Sequence, residues 1–225
     1  KSCLVSFDGK TIKSTPKTDE KKEELSIKLE KKIKGKVVIN LEFQGILNDK
    51  LLGFYRSQYK QNGKTKYLAT TQFEAADARR AFPCWDEPAA KATFEISIIA
   101  ENKFTAISNM PIKSKKKIKN KTLYKFVKTP VVSTYLIYLG VGEFEYLTGK
   151  TGKVQIRIIT TRGNKSKGKF SLELAKKLLT SYENYFGIKY PLPKLDLIAI
   201  PDFAAGAMEN WGAITFRETI LLYDP

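Results

Sequence analysis

Between residues 24 and 146, apolar side chains recur at every second position in short runs separated by turn residues. This pattern limits the fold more than any other feature. Alternate residues of an extended chain point to opposite faces, so each run offers one face for burial. ELSIKLE (24–30) puts Leu25, Ile27 and Leu29 on one side, and KVVINLEF (36–43) follows a tight turn at Lys34-Gly35. ATFEISIIA (92–100) aligns Phe94, Ile96 and Ile98; KFTAIS (103–108), TLYKFV (122–127) and YLIYLGVGEFEY (135–146) continue the series. Asn48-Asp49, Asn62-Gly63 and Asn109–Pro111 supply turn chemistry between runs. Short strands at near-regular spacing predict an antiparallel all-β unit.

The period changes near residue 147. VQIRIITT (154–161) still reads as a strand, but SKGKFSLELAKKLLTSYENYFG (166–187) repeats Phe170, Leu174, Leu178, Tyr182 and Phe186 every fourth residue. That spacing predicts a helix, with Gly187 as its cap and Pro191 and Pro193 beyond. KLDLIAI (194–200) is the next strand. Strand, helix, strand predicts the opening of an α+β domain. The expected division is 1–147 for the β unit and 148–225 for the second, incomplete one.

Composition excludes several chemistries. The chain has no histidine, so it holds no Ser-His-Asp triad, no Cys-His pair and no His-ligated zinc of its own. Its two cysteines, Cys3 and Cys84, are too few for a thiolate zinc site; they read as free thiols of a reducing, cytoplasmic setting. The net charge is +17, which would suit a polyanion partner. However, the arginines that favour phosphate recognition are scarce: Arg56, Arg79, Arg80, Arg157, Arg162 and Arg217 among 40 basic residues. The lysines read as solvated surface, with one cluster at 112–121, so no nucleic-acid partner is expected. No apolar run approaches a membrane span and no signal pattern opens the chain, so no membrane partner is expected either.

Two stretches carry potential chemistry. In TTQFEAADARRAFPCWDEPAAKATF (70–94), Arg79, Arg80, Asp86 and Glu87 read as a loop-organising ion network, and Phe82 and Trp85 as core plugs. Gln72 and Glu74 sit two apart, on one side of an extended segment. An amide carbonyl and a carboxylate facing together suit an ammonium group. The second stretch, DFAAGAMENWGAITF (202–216), surrounds Glu209 with alanine and glycine. Gly206 and Ala207 would let a peptide backbone approach and pair as an added strand, with Glu209 as anionic anchor. A small-residue turn packed under a sheet explains the same composition.

GAMENWG (206–212) resembles the exopeptidase signature of the zinc aminopeptidases of the aminopeptidase N and puromycin-sensitive type, tricorn-interacting factors included. The 70–94 stretch, GFYRSQY (53–59), YLGVGEF (138–144) and the long segment 187–218 are similar to that family in the same order, with archaeal and bacterial members nearest in pattern. The resemblance implies an N-terminal β domain of antiparallel sheets, saddle- or sandwich-like. The start of a thermolysin-like catalytic domain would follow it. It implies that Glu209 and Glu74 bind the free α-ammonium of a peptide and that Gln72 lines the first side-chain pocket. Gly206 and Ala207 would hold the peptide backbone, Met208 would border the pocket, and Asn210 belongs to the same motif.

The family's H-E-x-x-H zinc helix and catalytic tyrosine lie downstream of the signature, and this chain reaches Pro225 before them. The expectation is therefore no catalytic residue and no metal ligand here, with zinc held by the rest of the enzyme. An incomplete second domain would expose the 170–186 helix face to the remaining catalytic domain or to a second copy. A non-catalytic scaffold built on the same family is the alternative reading.

Overall fold

The computed structural model describes residues 2–223. The chain begins with β1 (Ser2–Phe7), β2 (Lys10–Ile12), β3 (Ser14–Asp19), β4 (Glu24–Leu29) and β5 (Val37–Glu42). It continues with β6 (Gly53–Gln61), β7 (Lys64–Gln72), β8 (Ser97–Glu101), β9 (Thr105–Ser108), β10 (Ile112–Ile118), β11 (Lys121–Phe126) and β12 (Leu139–Gly142). Every pairing among these strands is antiparallel, in four small sheets: β2-β1-β5, β3-β4, β6-β7-β12-β9 and β10-β11-β8.

The second unit comprises β13 (Phe144–Thr151), β14 (Val154–Thr161), α1 (Lys169–Phe186), β15 (Lys194–Ile200), β16 (Ala207–Met208), β17 (Ala213–Arg217) and the short α2 (Glu218–Leu221). Its sheet runs β13-β14-β15-β17-β16, and β14, β15 and β17 are parallel. This is the α+β opening that the change of period predicts. The 147/148 division falls inside β13, which pairs with β14 along its whole length from Phe144, so the sheets change over near Glu143.

Local chemistry explains several elements. The β6–β7 hairpin turns at Asn62 (φ 49°) and Gly63 (φ 72°), the two left-handed positions that a tight hairpin needs. Helix α1 ends at Gly187, whose φ of 66° closes it in the left-handed conformation. Leu172, Ala175 and Leu179 of α1 pack on Val154, Ile156 and Ile158 of the sheet. The opposite stripe, Phe170, Leu174, Leu178, Tyr182 and Phe186, stays open to solvent as expected. The lysine cluster forms β10, the outer strand of its sheet. Charged side chains on an outer strand discourage pairing with another chain.

Other expectations fail. β4 and β5 do not pair across Lys34-Gly35; β4 is taken by β3 and β5 by β1. The run 135–146 is not one strand: a 3-10 turn covers Thr134–Leu136, and β12 and β13 go to different sheets. Residues 92–96 lie outside β8, although Phe94 and Ile96 still reach the core. Trp85 is 78% exposed, not a core plug. The space beneath its loop is filled by Phe82, edge-on between Phe73 and Phe94 with ring centroids 6.0 and 6.3 Å apart. Cys3 and Cys84 are both free thiols.

Candidate functional site

One apolar core spans both units. Tyr55, Tyr59, Leu68, Ile107 and Tyr138 of the β unit pack with Ile159, Ile198, Ile200, Phe203, Met208 and Ala213 of the second. Polar contacts fix the register. The Tyr55 hydroxyl donates to the Asp202 carbonyl at 3.0 Å, and the Asp202 amide donates to Ser57 Oγ at 2.9 Å. Lys66 Nζ lies 2.9 Å from Glu143 Oε1. Thus the hairpin that ends in Gln72, just before Glu74, docks on the segment that leads to Glu209.

Gln72 closes β7 opposite Gly53 and is 7% exposed. Its Oε1 is buried with no hydrogen-bond partner among the described residues, an uncommon state for a side-chain oxygen among buried polar groups. Glu74 lies just past the strand and is exposed. Its carboxylate makes no hydrogen bond or ion pair among the described residues. The neighbouring network matches the sequence reading in part. Arg79 Nε binds Asp86 at 3.1 Å and Arg80 Nε binds Asp77, but Glu87 joins neither pair. Asp86 is the buried partner at 7% exposure, and its hydrogen bond holds the Arg79 guanidinium above its ordinary pKa.

The other half of the candidate site is a single continuous segment. Ala207 and Met208 form β16, the outermost strand of the sheet, paired to Phe216 and Thr215 of β17. The Gly206 carbonyl accepts from the Arg217 amide at 3.0 Å. The other side of β16 has no strand beside it among the described residues. Met208 points inward, 2% exposed, in the shared core. Asn210 is also buried; its amide reaches the Met208 carbonyl and Thr215 Oγ1, both at 3.4 Å. Glu209 lies between these two inward residues and is exposed, with no hydrogen bond or ion pair among the described residues. The small-residue segment is thus a turn packed against the β unit, with its outer strand at the sheet edge.

Sequence reasoning missed a buried charge cluster beneath this turn. Arg157 on β14 and Asp196 on β15 are register partners, joined through Nε at 2.7 Å and Nη2 at 2.6 Å. Lys194, 2% exposed, binds the same carboxylate at 2.7 Å and donates to the Gly212 carbonyl at 2.5 Å. Burial lowers the Lys194 pKa while Asp196 opposes the shift. Burial beside Asp196 pushes the Tyr190 hydroxyl up to about 12. The signal was present in KLDLIAI, where Lys194 and Asp196 share a face with Ile198. Two opposite charges two apart in an apolar strand mark a buried pair, because a lone charge could not be desolvated there.

No three of the Cys, Asp and Glu side chains gather into a metal-binding group among the described residues. With no histidine either, this chain does not fit a catalytic zinc. No described helix is long and apolar enough to cross a membrane.

Comparison with known proteins agrees with this architecture. The peptidase M1 N-terminal domain model matches residues 4–136, and the peptidase family M1 domain model matches residues 170–225. Aminopeptidase M1 of Arabidopsis thaliana is 51% identical over 83% of this chain and 21% of its own length. The puromycin-sensitive aminopeptidase of Caenorhabditis elegans is 47% identical over 99% of this chain and 24% of its own. A probable aminopeptidase 2 of Sulfurisphaera tokodaii is 50% identical over 83% and 24%. The chain thus spans between a fifth and a quarter of these relatives. With both domain models matched in order on a β unit docked to an α+β sheet, the chain belongs to the peptidase M1 family.

Proposed function

We propose that this chain is the substrate-recognition portion of a zinc metallo-aminopeptidase that releases N-terminal residues from peptides. Glu74 and Glu209 receive the α-ammonium, Gln72 lines the first side-chain pocket, and the backbone of Gly206 and Ala207 pairs with the substrate. The observation that carries this reading is the exposed carboxylate of Glu209, without a partner among the described residues, on a turn beside an open strand edge. Among the described residues Gln72 Oε1, at the end of the hairpin docked on the same segment, and the Glu74 carboxylate just past it have no partner, which supports it.

An exopeptidase must tell a terminal ammonium from an internal amide. Carboxylates at a closed end reward the cation and leave a continuing chain no room. Each charged hydrogen bond contributes about 1.5–3 kcal/mol, roughly 10- to 100-fold in discrimination. Met208 and Asn210 serve the same site from behind, Met208 through the shared core and Asn210 by bracing the turn. In this reading zinc is held by the remainder of the catalytic domain, and the whole enzyme works in the cytoplasm. The test uses the whole protein: Glu209→Gln and Glu74→Gln, each assayed for kcat/KM on an aminoacyl reporter with a free amine. Each should lose about 10-fold or more. Unchanged kcat/KM in Glu209→Gln refutes the reading.

A further inference from the structure

The turn that carries Glu209 is pinned on both sides, and one of the pins comes from the other unit. Asn109, 3% exposed, follows β9 in the β unit. Its side-chain amide donates to the Leu136 carbonyl at 2.7 Å and to the Trp211 carbonyl at 2.9 Å. Its Oδ1 accepts from the Tyr138 amide at 2.9 Å. Both donor hydrogens and the carbonyl are therefore used. The bonds to residues 136 and 138 hold the amide rigidly in the β unit, and the remaining bond crosses to a peptide two residues past Glu209.

The next residue fits the same contact. Gly212 has φ +72°, and a Cβ there would overlap the Asn109 carbonyl oxygen. From the opposite side, the Gly212 carbonyl accepts from Lys194 Nζ and from the Asp196 amide at 3.1 Å. Met208, Asn210, Trp211 and Gly212 thus all have their carbonyls engaged. The apolar core already joins the two units, so this bond is not needed merely to keep them together. It is directed at the one turn whose position sets where Glu209 lies relative to the β unit.

We infer that Asn109 is a positioning residue: it aligns Glu209, on the second unit, with the amine-receiving residues of the β unit. This inference rests on the amine-anchor reading above. It assigns Asn109 no contact with substrate.

The test is a double-mutant cycle in the whole protein, with Asn109→Ala and Glu209→Gln made singly and together and kcat/KM read on a free-amine aminoacyl reporter. Misplacing a binding group by about an ångström costs on the order of 100-fold, so Asn109→Ala should lose about 10- to 100-fold. In the Glu209→Gln background the further loss should shrink to about 3-fold or less, because the group being aligned is already disabled. A merely structural role would give the same loss in both backgrounds and would overturn the inference. No loss in Glu209→Gln alone overturns the amine-anchor reading, and this inference with it. Should Asn109→Ala be recovered unfolded, Asn109→Ser enters the same cycle with the same expectation and the same refuting result.

Discussion

Removing Asp196 tests whether the buried charge cluster is held by its single anion. The carboxylate accepts two hydrogen bonds from Arg157, at 2.7 and 2.6 Å, and one from Lys194 at 2.7 Å. Lys194 is 2% exposed and Asp196 is fully buried. Asp196→Ala leaves two cations facing each other with no counter-charge; Lys194 has no route to water, and the Arg157 guanidinium is only partly exposed. Loss of one partner of a buried ion pair costs about 3–5 kcal/mol. The lower half of that range, about 3–4 kcal/mol, applies here, because Arg157 is partly exposed to water. The readout is native-state hydrogen exchange of the β14 and β15 amides in the whole protein, which reports local opening. Exchange should accelerate by roughly two to three orders of magnitude. Replacing all three residues by apolar ones of similar size (Arg157→Met, Asp196→Leu, Lys194→Met) should recover most of the loss, since desolvating the charges then costs nothing. Acceleration below about 10-fold in Asp196→Ala would refute the argument, as would a triple variant no better than the single one.

Other outcomes follow from single features. Gly212→Ala meets both a left-handed backbone and the Asn109 carbonyl, so it should loosen docking of the two units; the expected cost exceeds about 1–2 kcal/mol and is read as faster proteolysis between β12 and β13. The Glu143 carboxyl is held below its ordinary pKa by its hydrogen bond to Lys66. A depressed carboxylate stabilises the fold above the unfolded pKa and loses that contribution as pH falls, so Glu143→Gln should flatten the stability profile below about pH 4.5. Its size is about 1 kcal/mol or less, as for a partly exposed pair. The Cys84 thiol is pushed up to about 11 by burial and by the nearby Asp86; its alkylation at pH 8 should be far slower than in the denatured chain, and equal rates would contradict the burial. Lys115→Val with Lys117→Val removes charge from the outer strand β10 and should produce concentration-dependent association, seen by light scattering.

Parts of the candidate site were legible because their logic is local. Gln72 and Glu74 were singled out by their spacing on an extended segment, but Glu74 falls in the turn past β7 and is exposed while Gln72 is buried; Glu209 stood out as a lone acid among small residues. Trp85 was misread because a large aromatic in a loop gives no sign of whether its place is already occupied. Here Phe73, Phe82 and Phe94 occupy it. Asn109 read as a turn residue before Pro111, which is correct locally and silent about Trp211, 102 positions away.

What the sequence alone determined is the period of each segment: alternation through 146, a four-residue repeat over 170–186, and glycines where the chain must turn left-handed. These follow from short-range sterics and from which face a segment must bury, so they are written in neighbouring residues. Only the tertiary structure decided which strands share a sheet, that β13 belongs with β14, that a lysine and an aspartate meet an arginine beneath the Glu209 turn, and that Asn109 reaches across to hold it. Those contacts join residues far apart in the chain. Each depends on packing geometry set by the whole core, which no local pattern encodes.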